Sequence, residues 1–128
     1  MTGPAAKVLP APAWLTDFYV KVDACDTTAV LAGFAADGTM TYGSGAPMPG
    51  HEAIRAGLDW LFGCYTKIEH EFLNIWTSGA VLLLEANVTY GCPDGRDVTV
   101  PALTVIEHRD GVIDDLRIFI DPTPTRAA

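Results

Sequence analysis

The second half of the chain alternates. Four runs, KIEHEFLNIW (67–76), VLLLEANVTY (81–90), DVTVPALTVIEH (97–108) and VIDDLRIFID (112–121), carry apolar residues at a period near two, the pattern of long strands with one buried face. CPDGR and RDG separate the last three as turns, so the runs read as an antiparallel meander. The first half has helical spacing instead. Leu15, Phe18, Tyr19 and Val22 predict a helix over 13–24. Asp26 caps a second over 27–36, with Val30, Leu31 and Phe34 on its apolar side, and DG at 37–38 ends it. TMTYG (39–43) reads as a short strand and GSGAPMPG as a loop. Ile54, Leu58, Leu61 and Phe62 predict a third helix over 51–63, with Arg55 and Asp59 paired four residues apart. Helices followed by a meander make an α+β pattern, in which one curved sheet wraps the helices and leaves a conical hollow.

One residue does not suit a plain core. Ile68, His70 and Phe72 share the apolar side of the first long run, while Glu69, Glu71 and Leu73 share the other. His70 is then either a hydrogen-bonded core residue or the lining of a reactive cavity.

Charge narrows the partners. The chain has 128 residues, enough for one domain, with 16 acidic against 8 basic side chains and a net charge of −8. No Lys/Arg cluster exists to neutralise phosphates, which argues against nucleic acid and anionic membrane surfaces. No apolar run is long enough to span a bilayer, and MTGPAAKVLPAPAW lacks the apolar centre of a secretory signal. Cys25, Cys64 and Cys92 fit neither a zinc spacing nor a disulfide framework. Reduced thiols in a cytoplasm and no metal site are therefore expected.

Two segments, FYVKVDACDTTAVLAGFAADGTMTYGSGAPMPGHEAIRAGL (18–58) and the closing GVIDDLRIFIDPTP, resemble the SnoaL-like branch of the nuclear transport factor 2-like superfamily. Ketosteroid isomerase, limonene epoxide hydrolase, scytalone dehydratase and lindane dehydrochlorinase belong to the same superfamily. The resemblance implies a cone-shaped α+β barrel, with three N-terminal helices packed in a strongly curved, mainly antiparallel sheet. It also implies an apolar pocket, a homodimer through the sheet's outer face, and no cofactor. The domain would cover 14–121, between a flexible arm at 1–13 and a tail at 122–128 that covers an edge or the pocket mouth, or is disordered.

The superfamily's catalytic sets carry over unevenly. The isomerase's aspartate base, tyrosine and protonated aspartate match Tyr42, Phe18 and Thr104 here. Counted from the PDG turn, the epoxide hydrolase's Arg and two Asp match Glu85, Asn87 and Ile118. Neither set is present. The dehydratase and dehydrochlorinase use an Asp–His pair, and Asp23 and His70 stand in the matching regions, with Asp23 eleven residues before Phe34.

The candidate catalytic residues are thus His70, Asp23 and Glu85. Tyr42, Asn87, Thr104, Phe18, Tyr19 and Ile118 are expected to bind substrate. Asp23 has an alternative reading as ordinary capping chemistry in D-A-C-D. Glu85 and Asn87 face the hollow only if the register counted from the PDG turn holds, since one residue of slip reverses every side chain. Trp60 and Trp76 read as core or interface aromatics, Arg117 and Asp121 as the outward face of the last strand, and His51 as exposed. Three functions fit: a cofactor-independent enzyme moving protons on an apolar or polyketide-like compound, a non-catalytic pocket for such a compound, or an interaction domain working through its sheet.

Overall fold

A computed structural model describes residues 10–126. Three helices, α1 (Ala13–Asp23), α2 (Thr27–Leu31) and α3 (Gly50–Gly63), pack on six strands: β1 (Phe34–Tyr42), β2 (Met48–Pro49), β3 (Lys67–Ser78), β4 (Val81–Gly91), β5 (Asp97–Arg109) and β6 (Val112–Ile120). The strand order is β2-β1-β6-β5-β4-β3. Strands β3 to β6 form the expected meander, and β1 adds to it parallel to β6. The sheet is therefore mixed and does not close, with β2 and β3 at its edges.

Alternation decides which face is buried. Leu82, Leu84, Ala86, Val88 and Tyr90 are all buried along β4, and the residues between them are half-exposed. Leu15, Ile54, Ile75, Ile106 and Ile113 are fully enclosed where the helices meet this face. A bulge between Phe72 and Asn74 opposes β4, so Leu73 is the extra residue and Ile75 returns to the core.

Several boundaries differ from expectation. α2 ends at Leu31, because Phe34 pairs with Ile113 and starts β1. The DG at 37–38 lies inside β1, where the register shifts between Phe34 and Thr39. A Cβ on Gly38 would stand 3.1 Å from the Ile113 carbonyl oxygen, so this glycine marks a bulge instead of a helix end. Asp59 and Arg55 do not pair with each other. Asp59 accepts from the Thr27 hydroxyl at 2.6 Å and Arg55 donates to Thr28 at 3.3 Å, which ties α3 to α2. His51 is half-buried, with Nε2 3.1 Å from the carbonyls of Phe34 and Ala35. Trp60 is 66% exposed, so it is not a core aromatic.

Residues 1–9 of the expected arm lie outside the described residues, but Ala11 already packs on the core. The tail folds as a 3-10 turn (Thr123–Thr125) with Thr125 buried. Tyr65 holds it through a 2.8 Å bond to the Thr125 hydroxyl, and Arg96 donates to the Thr125 carbonyl at 3.1 Å. Among the described residues no helix is long and apolar enough to cross a membrane.

Candidate active site

The site begins at the end of α1. Cys25 takes a left-handed φ of 55°, its amide donates to the Val22 carbonyl, and the Asp26 amide donates to Lys21. These two bonds make a Schellman closure, which leaves Asp23 in the last turn facing β3. The capping reading of Asp23 belongs to Asp26 instead, whose side chain accepts from the Ala29 amide at 3.1 Å.

Both oxygens of Asp23 go to one residue. Oδ1 lies 2.6 Å from His70 Nδ1, and Oδ2 accepts from the His70 backbone amide at 3.1 Å. β3 is an edge strand, so some of its amides have no neighbouring strand to bond; Asp23 satisfies the one at His70. A carboxylate near a helix C-terminus is disfavoured by the helix dipole, and the imidazole supplies the compensating donor. The side chains keep 13% (His70) and 31% (Asp23) of their exposure, so neither is fully desolvated. Tyr19, one helical turn before Asp23, lays its ring 4.7 Å from the imidazole.

With Nδ1 engaged, Nε2 is the free ring nitrogen. It has no hydrogen-bond partner among the described residues, and no fully buried side-chain nitrogen or oxygen there is left unsatisfied. Nε2 is therefore not fully buried. His70 lines a cavity of about 50 Å³ together with Phe18, Tyr19, Tyr42, Thr104 and Ile118. Most of the remaining wall is aliphatic, including Val88, Ala86 and Leu116.

The polar groups in this wall are neutral hydroxyls. Burial pushes the Tyr19 phenol up to about 12, with the Thr104 hydroxyl opposing the rise and the Asp23 charge adding to it. Burial also raises Tyr42 to about 12, opposed by its bond to Tyr90. Tyr90 is raised further, chiefly by burial and then by Tyr42. The Tyr42 and Tyr90 hydroxyls meet at 2.9 Å, and the Tyr65 ring stacks 4.3 Å from Tyr90. The family comparison did not point to Tyr90. The signal that could have found it is the apolar set 82, 84, 86, 88 and 90 in β4.

Two candidates leave the site. Glu85 and Asn87 lie on the outer face of β4, because Leu84, Ala86 and Val88 take the inner positions. Glu85 accepts from Asn74 at 2.6 Å, and Asn87 donates to Glu71 at 3.3 Å. The register counted from the PDG turn is off by one, which reverses both side chains. Arg117 faces outward as expected and bonds Glu107 and Asp115. No group of three or more His, Cys, Asp or Glu side chains suited to a metal ion occurs among the described residues.

Comparison with known structures places this geometry on a familiar scaffold. A hypothetical protein with a ketosteroid isomerase-like fold from Catenulispora acidiphila, solved with trimethylamine, superposes with a TM-score of 0.78 at 21% identity, covering 85% of each chain. A protein assigned as a SnoaL-like polyketide cyclase from Jannaschia sp. gives 0.71 at 18% identity over 94% of each chain. SalBIII, an epoxide hydrolase/cyclase-like enzyme of pyran ring formation in the polyether salinomycin, gives 0.74 at 18% identity, covering 86% of this chain and 89% of its own. At these identities the likeness shows the fold. No curated protein matches. Residues 15–116 match the SnoaL-like domain, and the chain belongs to that family.

Proposed function

We propose that the protein is a cofactor-independent enzyme that moves protons on a small apolar or polyketide-like molecule, giving cyclisation, isomerisation or dehydration. The observation that carries this reading is the Asp23–His70 pair, with Nδ1 held at 2.6 Å by the carboxylate and the His70 side chain lining an apolar cavity. Asp23 is a positioning residue. As acceptor it selects the tautomer with hydrogen on Nδ1 and stabilises the imidazolium once Nε2 takes a proton.

The proposed step breaks a C–H bond next to a substrate carbonyl. The proton goes to Nε2 and the electron pair forms an enolate, whose oxygen accepts a hydrogen bond from a wall phenol, Tyr19 or Tyr42. Raised phenol pKa values keep these groups as donors at neutral pH. The proton then returns to another carbon, or leaves with a departing hydroxyl as water, or, when the enolate closes a ring on a second carbonyl, goes to the alkoxide that closure forms. Each outcome regenerates neutral His70.

The half-reaction can be tested before the substrate is known. Wild-type protein is expected to catalyse deuterium uptake from D2O into the α-carbon of 2-indanone, and His70→Asn to lose about 100-fold or more of that rate. Asp23→Asn is expected to lower it as well, with kcat falling more than KM rises, and 15N NMR of His70 is expected to show one ring tautomer in wild type and a mixture in the variant. Equal exchange by wild type and His70→Asn sinks the catalytic reading and leaves a binding pocket.

A further inference from the structure

We infer a second ligand subsite, outside the cavity that holds His70, where a planar apolar group stacks on Trp60 across the Tyr42–Tyr90 bridge. The inference rests on the reading above only in placing the reacting end of the ligand at His70.

Size is the first argument. A cavity of about 50 Å³ accepts a small reacting fragment, whereas ligand pockets usually run to about 300–1,000 Å³. The rest of any substrate must therefore lie beyond the cavity wall. The second argument is where the wall is thin. Tyr42 comes from β1 and Tyr90 from β4, two strands separated by β6 and β5. Their hydroxyls meet over the concave face, so one hydrogen bond spans the hollow. Tyr42 lines the inner cavity and also two grooves outside it, of about 230 and 500 Å³. Met40 and Leu61 are shared with the first groove as well.

The grooves have a recognisable chemistry. Both are walled by Trp60, which keeps 66% of its surface in water; the smaller groove has the apolar floor of Met40, Met48 and Leu61, and the larger is bordered by Ser44, Asp121, Thr123 and Arg126. Met48 forms part of the floor because Gly57 lets it lie against α3: a Cβ there would stand 2.2 Å from the Met48 sulfur. A thioether floor and an open indole suit a flat apolar group. The side chains that cavity and groove share are Met40, Tyr42 and Leu61, so turning the Tyr42 ring away from Tyr90 would open that wall without moving a strand.

The test compares phenol with 4-phenylphenol, followed by NMR on full-length protein. The longer probe is expected to shift both the His70 ring and the Trp60 indole signals, and phenol only the former. Trp60→Ala should weaken 4-phenylphenol about fivefold and phenol by less than about twofold. Tyr42→Phe and Tyr90→Phe should each speed association of 4-phenylphenol by a similar factor, because both remove the same bond. The subsite is overturned if Trp60→Ala leaves 4-phenylphenol affinity unchanged, if one probe molecule never reports at both residues, or if 4-phenylphenol does not bind at millimolar concentration. Binding is read here without turnover, so a failed deuterium-exchange assay and a failed subsite remain distinct results.

Discussion

At the residue scale, the phenols make the clearest statement about pH. In an unfolded chain tyrosine ionises near 10, while Tyr19 and Tyr42 are held at about 12 by burial. The folded state thus keeps protons that the unfolded state releases. Their contribution is complete below pH ~10 and is lost as pH rises through ~12. Urea midpoints should fall across that window, and Tyr42→Phe should flatten part of the fall. A midpoint constant to pH ~12 would count against this burial. His70 was legible as a candidate because an imidazole is out of place on an apolar strand side, and Asp23 because it stands where the dehydratase and dehydrochlorinase of the superfamily carry the aspartate of an Asp–His pair. Their 2.6 Å contact was not, since 47 residues separate them and only the packing of α1 on β3 joins them.

At the scale of elements, β4 shows how a reading can fail by one residue. Its own alternation places Leu84 and Ala86 inside, and the borrowed register counted from the PDG turn placed Glu85 and Asn87 there. Physical periodicity was the better guide, because burying a carboxylate without a donor costs more than any alignment can signal. Glu85→Ala should therefore change stability by less than about 0.5 kcal/mol, whereas Leu84→Ala should cost about 2–5 kcal/mol, both by urea unfolding. The RDG turn is similarly specific. Gly111 has φ 84°, and a Cβ there would stand 2.8 Å from the Trp14 ring, so Gly111→Ala should lower stability by more than about 1 kcal/mol through strain and displacement of Trp14. The α2–β1 boundary escaped the sequence because Phe34 suits a helix face as well as a strand; pairing with Ile113 decided it.

At the scale of the whole molecule, the outer sheet face carries exposed apolar side chains. Phe119 is 56% and Leu103 38% exposed, and Trp76, Leu83 and Pro101 border the same groove. We propose that a second copy of the chain covers it, as the family resemblance implies. Wild type should sediment at twice the chain mass at tens of micromolar, and Phe119→Glu should sediment as a folded monomer; a monomeric wild type would refute the proposal. The sequence by itself determined the class and order of the helices and of the long strands, because periodicity and turn residues act over a few neighbours; β2 (Met48–Pro49), read as loop, exists only through its pairing with β1. The sequence also determined which side chains were chemically unusual. Tertiary structure alone decided the rest: that β1 would run parallel to β6, that Asp23 would reach His70, and that Tyr42 and Tyr90 would meet across two intervening strands. Each depends on curvature and packing between segments far apart in the chain, and no local pattern encodes a distance of that kind.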